Sequence, residues 1–159
     1  MKIYFASPLF THMELMFNET VVKDIRERFE GVEVYLPQEQ GEINDKNAYA
    51  DSLQIAKMDT DNLLKSDLMI AVLDGQTIDA GVASEIGVAY QSGIPVIGFY
   101  SDSRQQGSNN PDKIKALSQI GESQFSYVNL YTVGLVKLNG QLVNSVESLL
   151  SSLQKYIGV

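Results

Sequence analysis

Apolar and polar residues along this chain alternate between two spacings. Four short runs read as strands: KIYFAS (residues 2–7), VEVYLP (32–37), DLMIAVLD (67–74) and IPVIGFY (94–100). Between them the period lengthens. Met13, Met16, Phe17, Val21, Ile25 and Phe29 recur at helical spacing, predicting a helix from Thr11 to about Phe29 that Gly31 stops. Leu53, Ile55, Ala56, Leu63 and Leu64 predict a second helix over about 48–65. A third is expected from about Asp79 to Gln91, ended by Ser92-Gly93. The polar segments 38–47 and 101–113 read as loops, with a short helix over about 111–120.

The tail adds FSYVNLY (125–131), read as a further strand. GLVKLNGQLV (134–143) then carries alternating apolar residues around Asn139-Gly140 and predicts a small hairpin, because Asn-Gly accepts the positive φ of a tight turn. Asn144 is placed to cap the last helix, with Glu147 three residues on as in a capping box.

Strand–helix alternation of this kind predicts an α/β fold. The expectation is one domain over residues 1–159: a three-layer sandwich with a mostly parallel five-stranded sheet of flavodoxin or Rossmann type. Helices cover both faces, and a small C-terminal hairpin closes the chain. The continuous apolar runs at 67–74 and 94–100 are the strands buried on both sides. In such sheets ligands bind beyond the carboxyl ends of the strands. The segments to search are therefore 6–10, 74–85, 101–113 and whatever follows Phe125.

Composition narrows the function. The 159 residues are 44% hydrophobic and 20% charged, which suits one globular core. Cysteine is absent, so there is no disulfide, thiol nucleophile or thiolate metal ligand. No stretch approaches the roughly 20 apolar residues that span a bilayer. The opening MKIYFASPLF lacks the long apolar core of a signal peptide, so a cytoplasmic protein is expected. The net charge is −8, and the densest basic cluster, KDIRERF, mixes acids with bases. Nucleic acid and anionic membrane surfaces are therefore not expected partners.

Several common sites are missing. Ala6-Ser7-Pro8 follows the first strand where a dinucleotide fold would carry G-x-G-x-x-G, and there is no P-loop lysine motif. His12 is the only histidine and falls on the surface of the first predicted helix, which leaves no Ser–His–Asp triad and no histidine-rich metal site. No metal or redox cofactor is expected.

Carboxylates remain. Asp74 and Asp79 flank the loop after the third strand, and Glu85 lies about one and a half turns into the next helix. Gly81 and Glu85 share a helix face, where a glycine leaves a ligand room to approach. Ala83 and Ser84 are small as well. A carboxylate near the positive end of a helix is expected to stay ionised and available as a nucleophile. The plain alternative is that Asp79 is only a cap and Glu85 an exposed acid. Asp59 is either a solvated helix residue or an acid beside an apolar face. Tyr4, inside the first strand, reads as core packing with its hydroxyl at the rim.

Three segments, IYFASPLF, MDTDNLLKSDLMIAVLDG and DAGVASEIGVAYQSGIPVIGFYSD, together resemble the nucleoside 2-deoxyribosyltransferases in order and spacing from Lys2 to about Ser103. The resemblance implies that Glu85 is the nucleophile attacking the anomeric carbon of a 2'-deoxynucleoside, giving a covalent deoxyribosyl ester that a free nucleobase then takes over. It implies that Tyr4 holds the nucleophile by a hydrogen bond, that Asp59 handles and protonates the base, and that Asp79 binds the sugar hydroxyls. It also implies a homo-oligomer in which a neighbouring subunit adds an asparagine or serine to the sugar, with Ser126 and Asn129 as candidates. Family members often end in a tyrosine-containing tail, whereas Tyr156 here is followed by three residues. Two relatives of this activity stay open: a hydrolase of 2'-deoxynucleoside 5'-monophosphates, with Ser7 and Ser84 as phosphate contacts, and a non-catalytic nucleoside- or nucleotide-binding module. Asp79, a carboxylate where a phosphate would lie, favours the free nucleoside.

Overall fold

The computed structural model describes residues 1–41, 50–105, 109–122 and 128–158. Five strands, β1 (Lys2–Ala6), β2 (Glu33–Tyr35), β3 (Leu68–Val72), β4 (Val96–Phe99) and β5 (Gly140–Val143), form one sheet in the order β2-β1-β3-β4-β5. Every neighbouring pair is parallel. The helices are α1 (His12–Arg28), α2 (Ser52–Leu63), α3 (Ala80–Gln91), α4 (Pro111–Ala116), α5 (Leu130–Leu138) and α6 (Val146–Ile157). Short 3₁₀ turns lie at Pro37–Glu39 and Ser103–Gln105. Among the described residues no helix is long and apolar enough to cross a membrane.

The two-residue period of the strands builds two cores. Ile3 and Phe5 point to one face, where they pack with Val21, Val22 and Ile25 of α1 and Leu149, Leu150 and Leu153 of α6. Tyr4 and Ala6 point to the other, with Leu63 of α2, Val82, Ile86 and Ala89 of α3, and Val133 and Val136 of α5. All five β3 residues are buried, as the continuous apolar run requires. The helices start at side-chain caps: Thr11 and Glu14 form a capping box on α1, and the carboxylates of Asp51 and Asp79 accept backbone N–H groups of α2 and α3.

The tail departs from the expected pattern. Residues 134–143 are not a hairpin: α5 runs to Leu138, and β5 then joins the sheet parallel to β4, so all five strands are parallel. Val133 and Val136 are one helical turn apart and both face the core, so the helical period overrides the apparent alternation. Gly140 serves close approach here. A Cβ there would stand 1.9 Å from the Val96 carbonyl oxygen, across the β4–β5 pair. Leu130 and Tyr131, expected in a strand, open α5; residues 125–127 of that segment lie outside the described residues. The last helix is capped by Ser145 with Ser148, one position beyond the expected Asn144–Glu147 pair. The second helix begins at Ser52, later than about residue 48, because the Asp51 cap sets its start; Ala48 lies outside the described residues. Met13 and Met16 lie on the exposed side of α1.

Candidate active site

The reversal of strand order lies between β1 and β3, where chain segments leave in opposite directions and open a crevice. A cleft of about 270 Å³ sits there. Its walls are Ser7, Leu9 and Phe10 after β1, Pro37 after β2, Ile55 and Asp59 from α2, and Asp79, Gly81, Val82 and Glu85 at the start of α3. A second lobe of about 370 Å³ between α2 and α3 shares Ile55, Asp59, Gly81 and Glu85 with it and adds Ser84 and Thr60.

Tyr4 Oη donates a 2.5 Å hydrogen bond to Glu85 Oε1. The β1 register places the Tyr4 ring wholly inside the core, with its hydroxyl reaching α3. A hydroxyl bonded this closely to a carboxylate is a charge-assisted contact that fixes the orientation of the acid. Burial pushes the Glu85 carboxyl up to about 7; the Tyr4 bond opposes this, while the charges of Asp59 and Asp79 add to it. The expectation that Glu85 stays fully ionised is corrected. It lies beyond the first turn of α3, where the helix dipole has faded, and the position at the helix end belongs to Asp79. Burial and the proximity of Glu85 and Asp59 push the Tyr4 phenol strongly up, so it remains a donor.

Asp59 faces the same cleft from α2. Burial raises its pKa and a hydrogen bond from Tyr35 lowers it. Tyr35 Oη lies 3.4 Å from Asp59 Oδ1, and the Tyr35 ring stacks on Tyr4 with centroids 5.3 Å apart and planes 19° apart. This stack follows from register, since Tyr4 and Tyr35 are direct partners in the β1–β2 pair. Sequence reasoning missed Tyr35. Its position in the alternating VEVYLP run places it on one sheet face, but nothing in the sequence says which tyrosine lies beside it.

Asp79 Oδ1 accepts from the N–H groups of Gly81 and Val82, at 2.9 and 3.1 Å. It is both the cap of α3 and a wall of the cleft. Gly81 is exposed there, and a Cβ on it would meet Asp79 Oδ1 at 3.0 Å. Ser7 is buried at the cleft floor. Ser84 donates back to the Ala80 carbonyl and lines the second lobe. Tyr4, Ser7, Asp59, Asp79, Gly81, Ser84 and Glu85 are therefore brought together. Asn129, expected to reach the site of a neighbouring subunit, caps α5 in its own chain and lines a separate depression with Thr77, Ile78 and Ala83. Ser126 lies outside the described residues. Asp74 is engaged elsewhere, accepting from the N–H and Oγ of Ser101. Tyr156 belongs to α6, on the opposite sheet face from Glu85. Among the described residues no group of three or more acidic or histidine side chains is placed to hold a metal ion.

This arrangement has counterparts. The family model described as nucleoside 2-deoxyribosyltransferase matches residues 3–134. A crystal structure of a conserved protein from Enterococcus faecalis V583 is 58% identical, covers 98% of each chain and superposes with a TM-score of 0.93. The 2-deoxyribosyltransferase of Bacillus psychrosaccharolyticus is 26% identical over 62% of this chain and 72% of its own, with a TM-score of 0.52. A 2-desoxiribosyltransferase from Leishmania mexicana shares the fold at 20% identity, covering 99% of this chain and 97% of its own, with a TM-score of 0.61. No curated protein matches the chain.

Proposed function

The chain belongs to the nucleoside 2-deoxyribosyltransferase family, and from that premise we propose that it cleaves the N-glycosidic bond of 2'-deoxynucleosides and passes the sugar to another nucleobase or to water. The observation that carries this reading is the 2.5 Å bond from Tyr4 to Glu85 in a cleft that also presents Asp59 and Asp79.

In the first half-reaction the Glu85 carboxylate bonds to C1' of the deoxyribose. The C1'–N bond breaks, its electron pair leaves with the base, and Asp59 supplies the proton the base takes up. Without a 2'-hydroxyl to withdraw electrons, the sugar passes readily through an oxocarbenium-like state, which the anionic Glu85 both stabilises and captures. In the second half-reaction a nitrogen of an incoming base, or a water oxygen, bonds to C1'. The ester bond breaks, the carboxylate is restored, and the proton lost by the nucleophile returns to Asp59. Two displacements retain the configuration at C1'.

Asp79 supports the free nucleoside as donor. Its carboxylate occupies the N–H groups of Gly81 and Val82 in the first turn of α3, groups a 5'-phosphate would otherwise use. At about 5 Å and an effective dielectric of about 20, it would also repel each phosphate charge by on the order of 3 kcal/mol. The same reading has Asp79 accept from the sugar hydroxyls. It also expects a homo-oligomer in which a neighbouring copy adds Ser126 or Asn129.

The test is exchange between thymidine and free adenine. Formation of deoxyadenosine is the expected result; thymine release without deoxyadenosine would make the enzyme a hydrolase. No base release from any 2'-deoxynucleoside contradicts the proposal.

A further inference from the structure

A second tyrosine, Tyr35, packed in the core beside Tyr4, has no part in the steps above, yet it touches both halves of the machinery. Tyr35 is almost fully buried, its ring is stacked on the nucleophile's hydrogen-bond partner, and its hydroxyl is directed at Asp59. Asn62, one turn after Asp59 on α2, stands beside the Tyr35 hydroxyl and favours its ionised form, while its amide donates to the Met58 carbonyl at 2.9 Å. Lys2 Nζ donates to Asn62 Oδ1 at 3.2 Å and stands 5.8 Å from the Tyr35 ring centroid. A chain of contacts thus runs Lys2–Asn62–Tyr35–Asp59 beside the Tyr4–Glu85 pair. A buried hydroxyl in a chain of this kind is held in one orientation by its neighbours.

We propose that Tyr35 is a positioning residue for Asp59, fixing the carboxyl toward the base-binding side of the cleft through its hydroxyl while its stacked ring ties Asp59 to the Tyr4–Glu85 pair. This rests on the reading of Asp59 as the group that handles the base. The Tyr35–Asp59 contact is 3.4 Å, at the long end of the hydrogen-bond range. Facing Asp59 are Tyr35 from β2, Tyr4 from β1 and Glu85 from α3. Of these contacts, the Tyr35 hydrogen bond is the one that lowers the Asp59 pKa.

Tyr35→Phe keeps the stack and removes only the hydroxyl. Two substrates separate positioning from packing: a natural 2'-deoxynucleoside, whose base needs Asp59, and a 2-deoxyriboside with a nitrophenolate leaving group, which departs as an anion and needs no proton. The expected result is a loss of about tenfold in kcat/KM on the nucleoside, the scale of one hydrogen bond to a charged group, with little change on the nitrophenyl glycoside. The Asp59 carboxyl, followed by carbon NMR, is expected to titrate at higher pH in the variant. Asn62→Leu, which weakens the same chain from the other side, is expected to shift both readouts in the same direction by less, and it serves as the test if Tyr35→Phe does not fold. Equal loss on both substrates, or an unmoved Asp59 titration, overturns the inference. Failure of the unaltered protein to release base from any deoxynucleoside overturns the parent reading instead.

Discussion

Tyr4 and Glu85 lie 81 positions apart in the chain, yet the Tyr4 hydroxyl meets a Glu85 oxygen at 2.5 Å. The contact exists because the β1 register turns Tyr4 toward the α3 face and because Glu85 falls on the side of α3 left open by Gly81. It is also the contact that opposes the upward push of burial on the Glu85 carboxyl.

Tyr4→Phe is therefore expected to raise the pKa of Glu85 further and to release its orientation. The loss in kcat/KM for base release is expected to be about 10- to 100-fold, as for a hydrogen bond to a charged group. The acid limb of the pH profile is expected to move to higher pH, because the nucleophile must be ionised. An acid limb that stays in place contradicts the role given to Tyr4.

The raised Glu85 pKa also has a sign for stability. The folded protein holds this proton up to about pH 7, while the unfolded chain releases it near 4.5. Between these values the native state binds more protons, so stability falls as pH rises through the window and levels off above it. The full shift corresponds to at most on the order of 3 kcal/mol. Glu85→Gln, which mimics the neutral acid and still accepts from Tyr4, is expected to melt higher than the parent at pH 8 and similarly at pH 4. Thermal unfolding at the two pH values checks this; equal melting at pH 8 contradicts it.

Asp79→Ser separates the capping role from the charge. Serine is a good cap, so α3 is expected to form normally. Loss of the carboxylate is expected to lower kcat/KM for the deoxynucleoside and to narrow the preference over the 5'-monophosphate by at least about tenfold, given the repulsion removed. The ratio of the two kcat/KM values is the measurement. An unchanged ratio removes Asp79 from donor selection.

Gly140 carries the packing claim for the tail. With the Val96 carbonyl 1.9 Å from where a Cβ would stand, Gly140→Ala must displace β5 or α5. Overpacking of this kind costs about 1–3 kcal/mol or more. A fall in melting temperature of roughly 5–10 °C is expected for a chain of this size. A melting point within a degree of the parent contradicts the close approach.

Much of this was legible in the residues. The buried runs at 67–74 and 94–100 became β3 and β4, and Asp79 capped the helix that carries Glu85. Asp79, Gly81 and Glu85 fall in the segment after a strand, where parallel sheets bind ligands, Asp59 on the preceding helix was pointed to by the family resemblance, and all four line one cleft. Two kinds of information were not legible. The helical spacing of Val133 and Val136 was masked by an Asn-Gly pair that imitates a turn, and only the approach of Val96 explains that glycine. Tyr35 looked like any strand residue, because its meaning depends on strand pairing with Tyr4, a relation set by the whole sheet. The Glu85 pKa likewise depends on burial between α2 and β1, which position along a helix does not reveal.

The central claim is that Glu85 bonds to the sugar. Intact-protein mass spectrometry of samples acid-quenched during turnover of a 2'-deoxynucleoside, without acceptor base, tests it most directly. The account predicts an adduct of one deoxyribosyl unit, mapping to the peptide containing Glu85 and absent from Glu85→Ala. Base release that continues in Glu85→Ala, or an adduct on another residue, would contradict it.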